Sequence, residues 1–290
     1  MNLSSLALAF VSLLVAKVAF PAPPEGQLSA GKKQAEPATK TRVRLLLSVA
    51  EAQPGGEALV GVLFTMPKPW HVYWRNAGDA GFPPEVKWQL PAGITVGKLL
   101  WPTPSKYPFA QRSAAYVYHR EVMLLAPLRF AGSMTPGKKV IQAQVTWLEC
   151  NKSCLSGKTK AQVTLVVGEK NRPSQEAASF RAWQAKLPLV GPPPGLVAQL
   201  DDGGPDETHV LRLELPAPKE TILDFYPYSS DRYQVLAPTK TKKKRGRVTL
   251  IKQVEKTADD WPNEIAGLLV TTIGDQSAKA HEVVLQVGRK

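Results

Sequence analysis

Residues 138–167, KKVIQAQVTWLECNKSCLSGKTKAQVTLVV, decide the fold class. From Val140 to Trp147 the apolar side chains alternate with polar ones, the period-two signature of a strand with one buried face. AQVTLVV at 161–167 is a matching return strand, and Glu149 to Ser153 is the turn between them. The hairpin therefore carries, at its tip, Cys150 and Cys154, the two cysteines of the 290-residue chain.

Three roles are open to that pair. Residues flanking a three-residue turn can bring their Cα atoms within disulfide range. As a staple, the bond would close a loop of about five residues, for which chain entropy predicts roughly 2 kcal/mol, against about 3 for a fifteen-residue loop. A closed zinc site wants four ligands. His71, His119, His209 and His281 lie singly along the chain, so no second ligand pair is visible and no metal is expected; two thiolates alone could still take copper(I). A working dithiol needs access and thiolate character. Lys152 and Lys158 favour the thiolate and Glu149 beside Cys150 opposes it, which makes Cys154 the better nucleophile. The C-x₃-C spacing, with no helix after it, is not the CxxC of a thioredoxin-like fold.

Working outward, residues 41–167 form a series of short apolar runs: VRLLLSVA, EALVGVLFT, EVKWQL, ITVGKLLW, EVMLLAPLRF and the hairpin. Pro, Gly, Asn and Asp bound each run at spacings near ten residues, which predicts an all-β sandwich. Between Asn171 and Leu187 the period changes: Ala177, Phe180, Trp183 and Leu187 share one face of a helix, with Asn171 as its cap and Pro173 in its first turn. PLVGPPPG follows as a stiff linker. The β pattern then resumes with VLRLELP, TILDFYP, YQVLAP, RVTLIKQ, IAGLLVTTI and HEVVLQV. The fold class expected is all-β, two immunoglobulin-like β-sandwich domains joined by a short helix and a Pro-rich linker. Its boundaries are 41–168 for the first sandwich, 169–194 for the helix and linker, and 195–290 for the second sandwich.

The first forty residues read differently. LALAFVSLLVA at 6–16 has the length of a signal-peptide core and is too short to span a bilayer. Residues 1–22 are thus expected to be a signal peptide, and 23–40, rich in Pro, Gly, Ala and Lys, a disordered linker. The expected location is periplasmic or secreted, where a cysteine pair can persist as a disulfide. The formal charge of +13 suits an acidic partner or an anionic surface outside the cell, and nucleic acid is not an expected partner. Much of the excess lies in KTKKKRGR at 240–247, a solvated hairpin loop with Gly246 at its turn. The chain contains no G-x-S-x-G elbow, P-loop, G-x-G-x-x-G or H-E-x-x-H, so hydrolase, nucleotide and zincin chemistry lack their parts.

WHVYWRNAGDAGFPPEVKW at 70–88 is the second dense stretch. Trp70, Tyr73 and Trp74 can serve as core aromatics with Asn76 to Gly81 as a turn, or the segment can cover the cysteines. Together with WPTPSKYPF, YVYHREV and VTWLECNKSC, it resembles the amino-terminal periplasmic region of the thiol:disulfide interchange protein DsbD, its ScsB-like branch in particular. The resemblance covers about 41–168, and 190–288 is similar, less sharply, to the second immunoglobulin-like domain of that branch.

The resemblance implies a sandwich whose cysteines cycle between dithiol and disulfide. On that resemblance the expected activity is that of a thiol:disulfide oxidoreductase of the protein-disulfide reductase type, and no cofactor beyond the disulfide is expected. Cys150 and Cys154 are the working pair, with Cys154 attacking the partner. Trp70, His71, Tyr73, Trp74, Tyr107, Tyr116, Tyr118, Trp147 and Glu149 are candidate cap or supporting residues. Electrons are expected from a membrane-embedded DsbD-like donor and pass to periplasmic thioredoxin-like clients. Full-length members continue into membrane and thioredoxin-like domains that this chain, ending at Lys290, does not contain, so the expected donor is a separate chain. A different class of function is a secreted immunoglobulin-like binding module with a structural disulfide and a basic docking loop. A third is copper handling by the two thiolates.

Overall fold

Strand period governs almost the whole computed structural model, which describes residues 39–110, 113–201, 208–274, 276 and 278–287. The expected signal peptide, and all of the 23–40 spacer but its last two residues, lie outside the described residues. The first half builds two sheets. One holds Arg42–Leu47, Glu57–Thr65, Glu121–Phe130 and Ile94–Val96, in that order and antiparallel. The other runs Arg172–Pro173, Val49–Ala52, Cys154–Val167, Gly137–Cys150, His71–Gly78, Ser113–His119 and Ser105–Ala110, with Glu85–Gln89 pairing on Gly137–Cys150 as well.

These sheets face each other across a continuous apolar layer. Val62, Phe64, Val122 and Leu124 come from one side, and Val72, Trp74, Ala143, Val145 and Trp147 from the other. Removing such side chains from water is the main stabilising term, about 1.5–3 kcal/mol for each large one. The alternation in Val140 to Trp147 is thereby explained, since Ile141, Ala143, Val145 and Trp147 are the buried set. His71–Gly78 shows no such alternation because both faces of the strand are covered: Val72 and Trp74 point to the inter-sheet core, His71 and Tyr73 to the opposite face. That strand and the two at Ser105–Ala110 and Ser113–His119 were not among the apolar runs marked out by pattern.

One helix, Ala177–Gln184, follows, with Phe180 and Trp183 buried as the period predicts. It starts later than its expected cap. Asn171 instead accepts the Gln53 backbone N–H at 2.9 Å, Arg172–Pro173 forms a short strand, and Ser174 Oγ receives the Glu176 N–H at 3.1 Å. The second half forms two further sheets. Leu189–Val190, Lys279–Gln286, Glu264–Ile273 and Thr221–Pro227 make one; Val197–Asp201, Thr208–Pro216, Arg247–Lys256 and Tyr233–Val235 make the other. Leu211, Leu213, Phe225, Leu250, Ile265 and Leu285 fill the space between them. The architecture is all-β and immunoglobulin-like.

KTKKK, expected to lie in a loop, is itself a strand, Lys240–Lys244, that pairs with Arg247–Lys256 through a turn at Arg245 and Gly246. Both turn residues have positive φ, 50° and 73°, the conformation that matches strand twist in a two-residue hairpin. Its five residues are all exposed. A lysine-rich strand in that position keeps a free edge from pairing with another chain.

The described residues lie in one compact unit, and aromatic contacts cross between its halves. Tyr116 packs on Tyr226 with ring centroids 4.7 Å apart, Trp74 on Tyr228 at 5.6 Å, and Arg75 sits 4.0 Å above the Tyr228 ring. Lys106 donates to Asp224 at 2.9 Å and to the Ala237 carbonyl at 2.7 Å. Lys252, buried beside them, donates to the Leu236 and Ala237 carbonyls.

Candidate functional site

The hairpin register runs unbroken from Gly137↔Val167 to Cys150↔Cys154, leaving Asn151, Lys152 and Ser153 as the connecting turn. Asn151 N–H closes that turn on the Ser153 carbonyl at 3.0 Å. The cysteines face each other with Cα atoms 4.2 Å apart and are joined as a disulfide. Their surroundings differ sharply. Cys150 is 3% exposed, packed with Tyr73, Ala115 and Val117, whereas Cys154 is exposed.

Neighbouring strands extend the row. Cys150 stands opposite His71, and His71 stands opposite His119. Directly opposed residues of antiparallel strands project to the same face, so Cys154, Cys150, His71 and His119 form one cross-strand line. The two imidazoles lie 5.5 Å apart, edge to face, and Tyr107 covers them at 5.2 Å from His71 and 6.0 Å from His119. Tyr73 meets His71 from the next row at 5.4 Å. Histidines read as isolated along the chain are therefore neighbours, brought together by strand pairing. Among the described residues no group of three or more His, Cys, Asp and Glu side chains is arranged to hold a metal ion.

Beside this row opens a cavity of about 330 Å³ lined by Lys68, Pro69, Trp70, His71, Tyr107, His119, Arg120 and Asn151. Two turns frame it. One carries the cis Lys68–Pro69 peptide; the other places Arg120 at φ 63° between strands of different sheets, and the Met66 N–H bonds its carbonyl at 2.7 Å. Burial, and secondarily the neighbouring His119, pull the His71 pKa down to about 4, so this imidazole is neutral at neutral pH. Burial lowers that of His119 as well.

The nine candidate supporting residues divide by face. Trp70, His71 and Tyr107 line the cavity, and Tyr73 packs with Cys150. Trp74, Tyr116, Tyr118 and Trp147 belong to the inter-sheet core, where Tyr118 donates its hydroxyl to the Pro102 carbonyl at 2.6 Å. Glu149 is next to Cys150 in sequence but on the opposite face, fully buried. Its carboxylate accepts the Lys40 N–H at 2.5 Å, the Thr41 N–H at 2.8 Å and the Trp147 indole N–H at 3.1 Å. The carboxylate that was expected to oppose a Cys150 thiolate is thus turned to the backbone of Lys40 and Thr41. His119, Arg120 and Asn151 were not singled out by sequence; His119 lay within YVYHREV without a visible partner.

An immunoglobulin-like sandwich with a half-exposed cysteine pair at a hairpin tip, backed by imidazoles, is the class of protein defined here. Residues 44–165, less than half of the chain, match the family model for the N-terminal region of thiol:disulfide interchange protein DsbD. The crystal structure of the N-terminal periplasmic domain of ScsB from Proteus mirabilis superposes with a TM-score of 0.62 at 17% identity, covering 87% of this chain and 95% of that one. The shared fold therefore extends well beyond the family match. A marsupial T cell receptor aligns at 10% identity and a TM-score of 0.20, over 88% of this chain and all of that one, an overlap too loose to bear on the fold. No curated protein sequence matches the chain.

Proposed function

We propose that the chain is a periplasmic thiol:disulfide relay in which Cys150 and Cys154 carry two electrons from a membrane-embedded DsbD-like donor to thioredoxin-like clients. The observation that carries this reading is the asymmetry of the pair, Cys154 exposed and Cys150 buried at 3%. A donor thiolate has access to Cys154 alone. It attacks that sulfur, the Cys150–Cys154 bond breaks, and Cys150 leaves as a thiolate that takes up a proton. The donor's second thiol then attacks its own half of the mixed disulfide and releases the Cys154 thiolate. In the delivery step Cys154 attacks a client disulfide, and Cys150 displaces the reduced client and restores the starting bond. A structural staple has no need of a half-exposed pair, and its small loop-closure gain makes it a weak anchor. The periplasmic setting is supported by the family and by the location named for the ScsB domain. Among the described residues no helix is long and apolar enough to cross a membrane.

The test is the reduction potential of the pair, measured by equilibration in graded thiol–disulfide buffers with alkylation and mass counting. The relay requires a value in the range of exchange-active proteins, roughly −120 to −270 mV. A value below about −300 mV would mean a bond that stays closed and would overturn it.

A further inference from the structure

The Cys150 thiol must lose its proton before it can displace a client, and nothing about its position helps it to do so. Burial among Tyr73, Ala115 and Val117 disfavours the thiolate. The nearest strand supplies the remedy directly opposite, in His71. Resting on the relay reading above, we propose that His71 is the general base for Cys150, accepting its proton as the client is displaced and returning one when Cys150 is the leaving group.

Geometry carries the assignment. His71 and Cys150 are register partners on one face, both buried, and the imidazole also borders the 330 Å³ cavity through which protons can be exchanged with water. The groups that face it are His119 from the adjacent strand, Tyr107 from the next, Tyr73 from its own, and Lys68 and Arg120 from the two turns. No carboxylate lies among them, and burial, with His119 second, opposes a resident proton. Neutral at rest, as its lowered pKa of about 4 requires, the ring has a free nitrogen with which to act as base. Development of a thiolate beside it then favours the imidazolium, as in other Cys–His pairs.

The step balances. Cys154, already joined to one client sulfur, is attacked by the Cys150 sulfur as the Cys150 proton moves to His71. The Cys150–Cys154 bond forms, the Cys154–client bond breaks, and the departing client thiolate is protonated from His71 or water. The protein dithiol is oxidised by two electrons and the client disulfide reduced by two.

Dithionitrobenzoate makes both chemical steps visible. Reduced protein should release one coloured thiolate as Cys154 attacks and a second as Cys150 resolves the adduct. In His71→Gln the first phase should stay within about twofold of wild type. The second should slow by about 100-fold at pH 7, within the usual worth of a general base, and then climb about tenfold per pH unit as hydroxide takes over. Wild type should stay nearly level from pH 6 to 8. His119→Gln, which removes the lesser cause of the depressed pKa, should move the acid limb of the second phase to higher pH. An unchanged second phase in His71→Gln would overturn the assignment. So would equal slowing of both phases with an unaltered pH profile, because that marks a merely structural histidine. Wild-type protein that shows no second phase would instead overturn the relay itself.

Discussion

At the residue scale, two cysteines four positions apart differ in what they can do because one faces solvent and the other is packed beneath Tyr73. In Cys150→Ser, the accessible Cys154 should still attack a client disulfide but find no resolving thiol. The expected outcome is a mixed disulfide that accumulates and is seen as a stable mass adduct. In Cys154→Ser, the remaining thiol is buried, and its alkylation at pH 7 should be at least about tenfold slower than that of Cys154 in the converse variant, following accessibility and thiolate fraction. Equal alkylation rates would show that the asymmetry does not persist in the reduced protein. Glu149 illustrates the same lesson of facing. Adjacent in sequence to Cys150, it is chemically remote, because successive strand residues point to opposite sides of the sheet.

At the element scale, the long hairpin is both the scaffold and the instrument. Its fourteen-residue strands hold the cysteine turn at the end of the sheet, where Cys150 is still paired with His71. Close packing near the tip keeps it there. Gly157, opposite Trp147 in the register, has no side chain because the indole ring occupies that space: a Cβ would lie 2.1 Å from it. Trp147 cannot easily yield, since it is buried against Phe64 with ring centroids 6.2 Å apart and bonded to Glu149. Gly157→Ala should therefore cost about 1–3 kcal/mol, the usual range for overpacking, read as a lower urea midpoint with an unchanged slope. No loss of stability would mean that the indole moves aside freely. The basic hairpin at Lys240–Lys244 is a contrasting element: its tip lines a surface recess of lysines and arginines, and edge protection accounts for its composition.

At the scale of the whole molecule, the two halves meet through aromatic rings and an ionic cluster, Lys106–Asp224–Lys252, in which Lys252 is buried and the other two are partly buried. Lys252 is 1% exposed, and burial outweighs the pull of Asp224, bringing its pKa down from 10.5 to about 8. The unfolded chain then binds more protons than the native one between about pH 8 and 10.5, so this lysine makes stability rise with pH across that window. From pH 7.5 to 9.5 the gain should be about 2 kcal/mol, from a shift of this size at 1.36 kcal/mol per unit. Lys252→Met should lack that rise, as measured by urea unfolding at the two pH values. Above pH 10 the sign reverses, because burial raises the pKa of Tyr116, Tyr118, Tyr226 and Tyr228. Their retained protons make stability fall with further alkalinity.

Much of this was legible in one dimension. Strand period marked the hairpin at 140–167, helical period marked Phe180 and Trp183, and the spacing of turn residues predicted an all-β sandwich, because these patterns record which face of a local element is buried. The cysteine pair and its resemblance to the DsbD amino-terminal region were legible too, since the motifs that carry them are contiguous. What pattern could not show was the strand at His71–Gly78, buried on both faces and so without alternation. Nor could it show the meeting of His71 and His119, forty-eight positions apart, or the opposite facings of Glu149 and Cys150. Those depend on which strands pair and in what register. The sequence by itself determined that this chain is a β-sandwich presenting two cysteines at a turn. Only the tertiary structure decided that one cysteine is covered, the other open and an imidazole pair stands behind them, because long-range strand pairing sets the neighbours of every side chain on the sheet.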